Sequence, residues 1–136
     1  MKYLLDANAW IALFRQKSLS LLHELERHAE SEIALCSVVL GELCYGAIRS
    51  GPVHEPANRK LIDQVRNRYA SLPFDDAASE EYAQIRAFLA NAGQMIGAND
   101  LMIAAIARAN GLIVVTHNTG EFGRVPNLAV ENWQAP

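Results

Sequence analysis

Cysteine is scarce, and its placement excludes one kind of site. The 136 residues hold only Cys36 and Cys44, with no C-x-x-C pair and no Cys/His pair nearby. A thiolate zinc centre does not fit that spacing, and two free thiols packed as small apolar groups is the reading that remains. Long apolar runs are also missing. The longest are strand-sized or broken by charges, too short to cross a bilayer, so no membrane association is expected. The start carries one Lys and runs straight into Asp6, which is not a secretory pattern, and a cytoplasmic location is the expectation. Basic charge is in deficit as well: 12 Lys and Arg stand against 15 Asp and Glu, a net charge of −3. General nucleic-acid binders usually carry a basic face. The objection weakens if three or four of the acids form one site whose charge a metal offsets. The stretch 49–68 keeps a local excess in Arg49, Arg59, Lys60, Arg66 and Arg68 against Glu55 and Asp63. It reads either as a phosphate-binding patch or as an ordinary solvated helix face.

What is present is apolar content: 51% of the chain is hydrophobic, which fits one compact domain over residues 1–136 with a sizeable core. Strand-like and helix-like segments alternate. Lys2–Leu5 reads as a strand and Ala7–Phe14 as a helix. Ser18 caps a helix running past Leu19, Leu22 and Leu25 to Ala29, at a spacing near 3.6. Ile33–Cys36 is a second strand and Val38–Ile48 a helix, stopped near Ser50-Gly51-Pro52. Pro56–Ala70 follows as a helix and Ser71–Phe74 as a strand. Asp76 reads as the N-cap of Ala77–Ala92, with Gly93 as the stop. Asn99 or Asp100 opens a helix to Asn110, rich in alanine and ended by Gly111. Leu112–Val115 is apolar without alternation, as in a strand buried on both faces, and Leu128–Val130 is a last strand. This order predicts a three-layer α/β/α fold with a central parallel sheet of four or five strands. The functional crevice of such a sheet lies beyond the carboxyl ends of its strands. Asp6, Ser37 and Thr116 all fall there.

Several residues at those places have both a chemical and a structural reading. Asp6 is a metal ligand at a strand end or the N-cap of the helix at Ala7. Asn8, two residues on, orients a metal-bound water or is a polar first-turn residue. Glu42 lies in the otherwise apolar VVLGELCYGA, and a carboxylate on a buried helix face is costly unless paired or bound to a metal. Asp100 alone reads as a helix cap, and a second carboxylate holding Mg²⁺ nearby would change that. Thr116 and Asn118 make a turn or position a metal-bound water, and Glu121 is the nearest true carboxylate in their loop. Ser37 offers a hydroxyl. His117 reads as a loop residue, because Mg²⁺ and Mn²⁺ favour oxygen donors, and His23, His28 and His54 read as surface.

Taken together, LLDANAWIALF, SVVLGELCYGAIRS and IGANDLMIAAIARANGLIVVTHNTGEFGRVPNLAVENW resemble the PIN domain, and within it the VapC-type toxins of bacterial toxin–antitoxin pairs. Each motif is weak alone, whereas the ordered set spans nearly the whole chain. The resemblance implies an endoribonuclease that uses Mg²⁺, with Mn²⁺ as substitute. It carries over Asp6, Glu42 and Asp100 as metal ligands and leaves products with 5′-phosphate and 3′-hydroxyl ends. Many relatives carry a fourth acid in a T-x-D segment. Here Asn118 stands at that position, so either Asn118 acts as a neutral ligand or Glu121 supplies the charge. The same resemblance implies a homodimer, an RNA substrate with tRNA as the first choice, and a cognate VapB-type antitoxin whose tail enters the acidic groove.

Two rivals remain in view. A response-regulator phosphoacceptor domain needs an acidic pair after its first strand and a late Lys, but Ala7 follows Asp6 and no Lys follows Lys60. The other is a catalytically inactive PIN-like RNA-binding or scaffold module, with Asn118 marking a decayed site.

Overall fold

The computed structural model describes residues 1–134. Five short strands form one sheet: β1 (Tyr3–Leu5), β2 (Ile33–Cys36), β3 (Ala70–Leu72), β4 (Ile113–Val115) and β5 (Val130–Glu131). The order is β3-β2-β1-β4-β5 and every pairing is parallel. Every residue of β1 and β2 is buried, while the edge strand β3 is largely exposed. That contrast explains why the inner strands are purely apolar: helices cover both of their faces.

The helices are α1 (Ala7–Phe14), α2 (Leu19–Glu26), α3 (Ser37–Arg49), α4 (Gly51–Arg68), α5 (Asp76–Ala92), α6 (Ala98–Asn110) and α7 (Thr119–Phe122). With the sheet they make the expected three-layer α/β/α fold. Within α6, Ala104, Ala105 and Ala107 are fully buried together with Ile103 and Ile106, so small side chains let this helix lie close on its neighbours. Ser18 caps α2 by accepting from the Leu21 N–H, as its sequence position implies. No helix of the described residues is long and apolar enough to cross a membrane.

Several boundaries differ from the sequence expectation, each for a local reason. α2 stops at Glu26, and a 3₁₀ turn at Glu30–Glu32 leads into β2, with the Glu32 carboxylate accepting from the Ala29 N–H. α4 begins at Gly51 rather than Pro56. Gly51 takes a positive φ of 85°, and Pro52 is tolerated in a first turn, where its missing N–H is not needed. The Ser-Gly-Pro break therefore redirects the chain between two abutting helices instead of opening a loop. Asp75, not Asp76, caps α5, its carboxylate accepting from the Ala78 N–H. β3 and β5 are each displaced by one or two residues from their expected places, and α7 forms where a turn was expected.

Candidate active site

β1 and β4 are neighbours although more than a hundred residues separate them, and the strand order reverses between them. That switch point is where a parallel sheet opens a crevice. Leu5 is paired with Val115, and the Asp6 N–H donates to the Val115 carbonyl at 3.1 Å, so Asp6 and Thr116 leave the sheet side by side. The Thr116 hydroxyl donates to Asp6 Oδ2 at 2.6 Å, and Asp6 Oδ1 accepts from the Ala9 N–H at 2.9 Å. Asp6 is thus the cap of α1 and also stands in the crevice. Among the described residues, Asp6 and Thr116 are the buried polar side chains, at 4% and 1% exposure. Burial pushes the Asp6 carboxyl above its usual range. The bonds from Thr116 and Ala9 and the nearby His117 oppose that shift.

Three more carboxyl groups stand around this pair. Glu42 sits in α3 next to the buried residues Val39 and Leu43. Its Oε1 is buried and, among the described residues, has no hydrogen-bond partner. Burial raises its carboxyl, the Asp6 charge adds to that, and the neighbouring Asn99 amide opposes it. Asp100 lies in the first turn of α6, but Gly97 holds the cap position, so the cap reading of Asp100 does not hold. Its carboxyl is pushed up to about 7 by burial first, then by its contact with Glu121 and by the charges of Glu121, Asp6 and Glu42. Glu121 moves the other way. The Gly97 N–H donates to its Oε1, the Asn118 amide donates to its Oε2, and the neighbouring Asp100 and Arg124 also favour its charge. Of the two acids, Asp100 is the one whose charge the fold disfavours. Among the described residues none of the four acids takes part in an ion pair.

The remaining sequence candidates divide. Asn118 belongs to the cluster as a support: its N–H donates to Thr116 Oγ1 and its amide to Glu121. Thr116 is committed to Asp6 and Asn118, which makes it a positioning residue rather than a contact for water. Asn8 is exposed on the first turn of α1. Ser37 is not brought in, because its hydroxyl donates to the Leu72 carbonyl of β3, on the far side of β2 from β1. The basic stretch does not assemble into one patch. Arg59 reaches Cys44 Sγ, Arg68 pairs with Glu30, and Arg49 lies over Tyr45. His28 is not a surface residue but stacks on Trp133. Asn99, Gly97 and Arg124 were missed. Asn99 adjoins a candidate acid, which was a signal of a kind. Gly97 acts through its backbone N–H, which no sequence pattern announces.

The donor set fits a hard divalent cation. It is made of carboxylate oxygens, and the lone Glu42 Oε1 lacks the partner that buried oxygens normally have. The acids are not closed into a cage: no three His, Cys, Asp or Glu side chains converge on one point among the described residues. Mg²⁺ in any case keeps several waters and uses few protein ligands.

Comparison with known proteins places the chain in a family. The PIN domain family model matches residues 3–128. The tRNA(fMet)-specific endonuclease VapC of Shigella flexneri is 38% identical over 133 residues, 98% of each chain. Ribonuclease VapC2 of Haemophilus influenzae is 35% identical over the same share. Among solved structures, VapBC2 of Rickettsia felis bound to a promoter DNA fragment superposes with a TM-score of 0.89 at 35% identity, covering 98% of this chain and 99% of that one.

Proposed function

The chain belongs to the PIN domain family, among its VapC-type ribonucleases, and from that premise we propose that it is an endoribonuclease toxin dependent on Mg²⁺ or Mn²⁺. The observation that carries the metal dependence is the meeting of four carboxyl groups at the β1/β4 switch point with no ion pair among the described residues. Asp6, Glu42 and Asp100 would hold the ion. Once bound, it would grip a phosphate oxygen and lower the pKa of a bound water. Thr116 and the Ala9 N–H fix both oxygens of Asp6, so that carboxylate needs no reorganisation during the reaction. Glu121, the member of the pair whose charge the fold favours, would accept the proton lost by the attacking water. Asn118 keeps Glu121 beside Asp100. That makes the Asn of Thr116-His117-Asn118 a support for the fourth acid rather than a mark of decay.

The substrate we assign is tRNA, supported by relatives in Shigella flexneri and Salmonella typhimurium that bear the name tRNA(fMet)-specific endonuclease. The inhibitor we assign is a cognate antitoxin, supported by solved relatives that are VapBC complexes, and a homodimer is the active form we expect. Purified protein incubated with a labelled tRNA pool tests the reading. We expect cleavage with Mg²⁺ or Mn²⁺ that disappears in EDTA and in Asp100→Asn. Cleavage that persists in both controls sinks the metal mechanism, and a monomeric mass in light scattering sinks the dimer.

A further inference from the structure

The short segment 93–97 joins α5 to α6, and the turn at the end of α7 bonds to it at two points. That turn is tight. The Arg124 N–H donates to the Glu121 carbonyl and the Val125 N–H to the Phe122 carbonyl, both at 3.1 Å. Such bonding brings residues three apart onto one side. Phe122 and Val125 share one side and are buried, which anchors the turn. Gly123 lets it close, since a Cβ there would lie 2.6 Å from the Thr119 carbonyl oxygen. Glu121 and Arg124 share the other side, and both reach the segment before α6.

Their two bonds run in opposite senses. The Gly97 N–H donates to Glu121 Oε1, and Arg124 Nη1 donates to the Met95 carbonyl at 3.1 Å. Resting on the nuclease reading above, we propose that Arg124 is a positioning residue for that reaction: by holding the Met95 carbonyl it keeps segment 93–97 on α7 and Asp100 against Glu121.

The segment and the acid move together. The Gly97 carbonyl accepts from the Leu101 N–H at 2.9 Å, which ties Gly97 to the first turn of α6, where Asp100 sits. A Cβ built on Gly97 would meet Glu121 Oε1 at 3.4 Å and Asp100 Oδ2 at 3.9 Å, so the backbone lies against both carboxyl groups. Glu121 is itself a group to be placed, and its bond to Gly97 cannot fix both partners. Arg124 supplies a hold that is independent of the acids. A guanidinium suits the task, because a charged donor makes a stronger bond than a neutral one. Among the described residues Arg124 forms no ion pair, so its charge is not tied to one carboxylate. The competing role for an exposed arginine beside a nuclease site is a direct contact to an RNA phosphate. That role would act on binding, whereas positioning acts on turnover.

Two measurements separate them. In steady-state cleavage of one RNA that the wild type cuts, Arg124→Ala should lower kcat about tenfold with KM within about twofold, as misplacing a reacting group implies. Arg124→Lys keeps a charged donor and should regain most of the loss. In amide hydrogen exchange of the metal-free protein, Gly97 should exchange roughly tenfold faster in Arg124→Ala, the scale of one lost hydrogen bond, with the amides of β1 changed less. A raised KM at unchanged kcat would overturn the proposal and make Arg124 a phosphate contact. An unchanged Gly97 rate, or Arg124→Lys losing as much as Arg124→Ala, would overturn it too. Exchange faster to the same degree throughout the chain would reduce Arg124 to a general support of the fold. If the wild type cleaves no RNA, the nuclease reading fails by itself, and Gly97 exchange alone then decides whether Arg124 holds the segment.

Discussion

The two ends of the central sheet are built on opposite principles. At the amino end of β1, Tyr3 packs with His28 and with Trp133, which follows β5, as an aromatic cluster with centroid separations of 4.7 to 5.2 Å. Polar groups there have partners. His28 lies between Glu24 at 3.6 Å and Glu32 at 3.7 Å, and the Trp133 indole N–H donates to Glu131 at 2.9 Å. At the carboxyl ends, four carboxyl groups gather with no ion pair among the described residues, the Glu42 Oε1 is buried without a hydrogen-bond partner among them, and Asp100 is pushed up to about 7. Native cores normally satisfy buried polar groups. The amino end follows that rule and is stability. The carboxyl end departs from it, and such departures collect at functional sites.

The contrast can be broken most decisively by activity. Asp6→Asn and Asp100→Asn should each reduce RNA cleavage by at least about 10²-fold, the scale of losing one preorganised electrostatic group, while His28→Gln leaves the rate within about twofold. Cleavage assays on the three purified variants check this. A large loss in His28→Gln would erase the division.

Stability should invert the pattern. Trp133→Ala removes a buried indole and should cost about 3–5 kcal/mol in urea unfolding. Asp100→Asn, measured without metal above pH 7, should gain on the order of 1 kcal/mol, since it removes a charge that the fold disfavours and solvent partly screens. A destabilised Asp100→Asn would mean that the acid is held by contacts that favour its charge.

The pH dependence follows from the same sign. Asp100 holds its proton up to about 7 in the fold, whereas the unfolded chain releases it near 3.8. Between those values the native state binds more protons, so stability falls as pH rises toward 7. Thermal melts of metal-free protein from pH 4.5 to 7.5 should show this decline, flattened in Asp100→Asn. Glu121, lowered by its partners, opposes it in part.

The smallest effect belongs to support residues. Asn118→Ala should leave the melting temperature within a few degrees but reduce kcat about tenfold by releasing Glu121 from Asp100. Steady-state kinetics decide it, and unchanged kcat would show that Glu121 needs no second holder.

The strands and the first acid were legible because their signals are local. Unalternated apolar runs such as YLL, IALC and IVV mark strands buried on both faces, and Asp6 ends the first. The alanines of α6 likewise announced a helix packed closely. Direction in space was not legible. Glu42 and Tyr45 are three residues apart, and nothing in the sequence says that one buries a carboxyl oxygen beside the acids while the other is exposed. Asp100 resembled a cap because aspartate is favoured there, yet Gly97 took that place and left the carboxyl free for the cluster. Ser37 stood after a strand like Asp6, but on the β3 side of β2, where its hydroxyl finds a carbonyl. Asn118 looked like a substitution in the site until its amide was seen to hold Glu121.

The most direct measurement is a thermal melt at pH 7.5 with and without MnCl₂, comparing the wild type with Asp100→Asn. Selective binding to the native state at a hundred times Kd contributes about 2.7 kcal/mol, or several degrees in a domain of this size. We expect the wild type to gain that shift, and Asp100→Asn to start higher without metal and gain little. An unshifted wild type, or equal gains in both proteins, would contradict a carboxyl end built for a divalent cation.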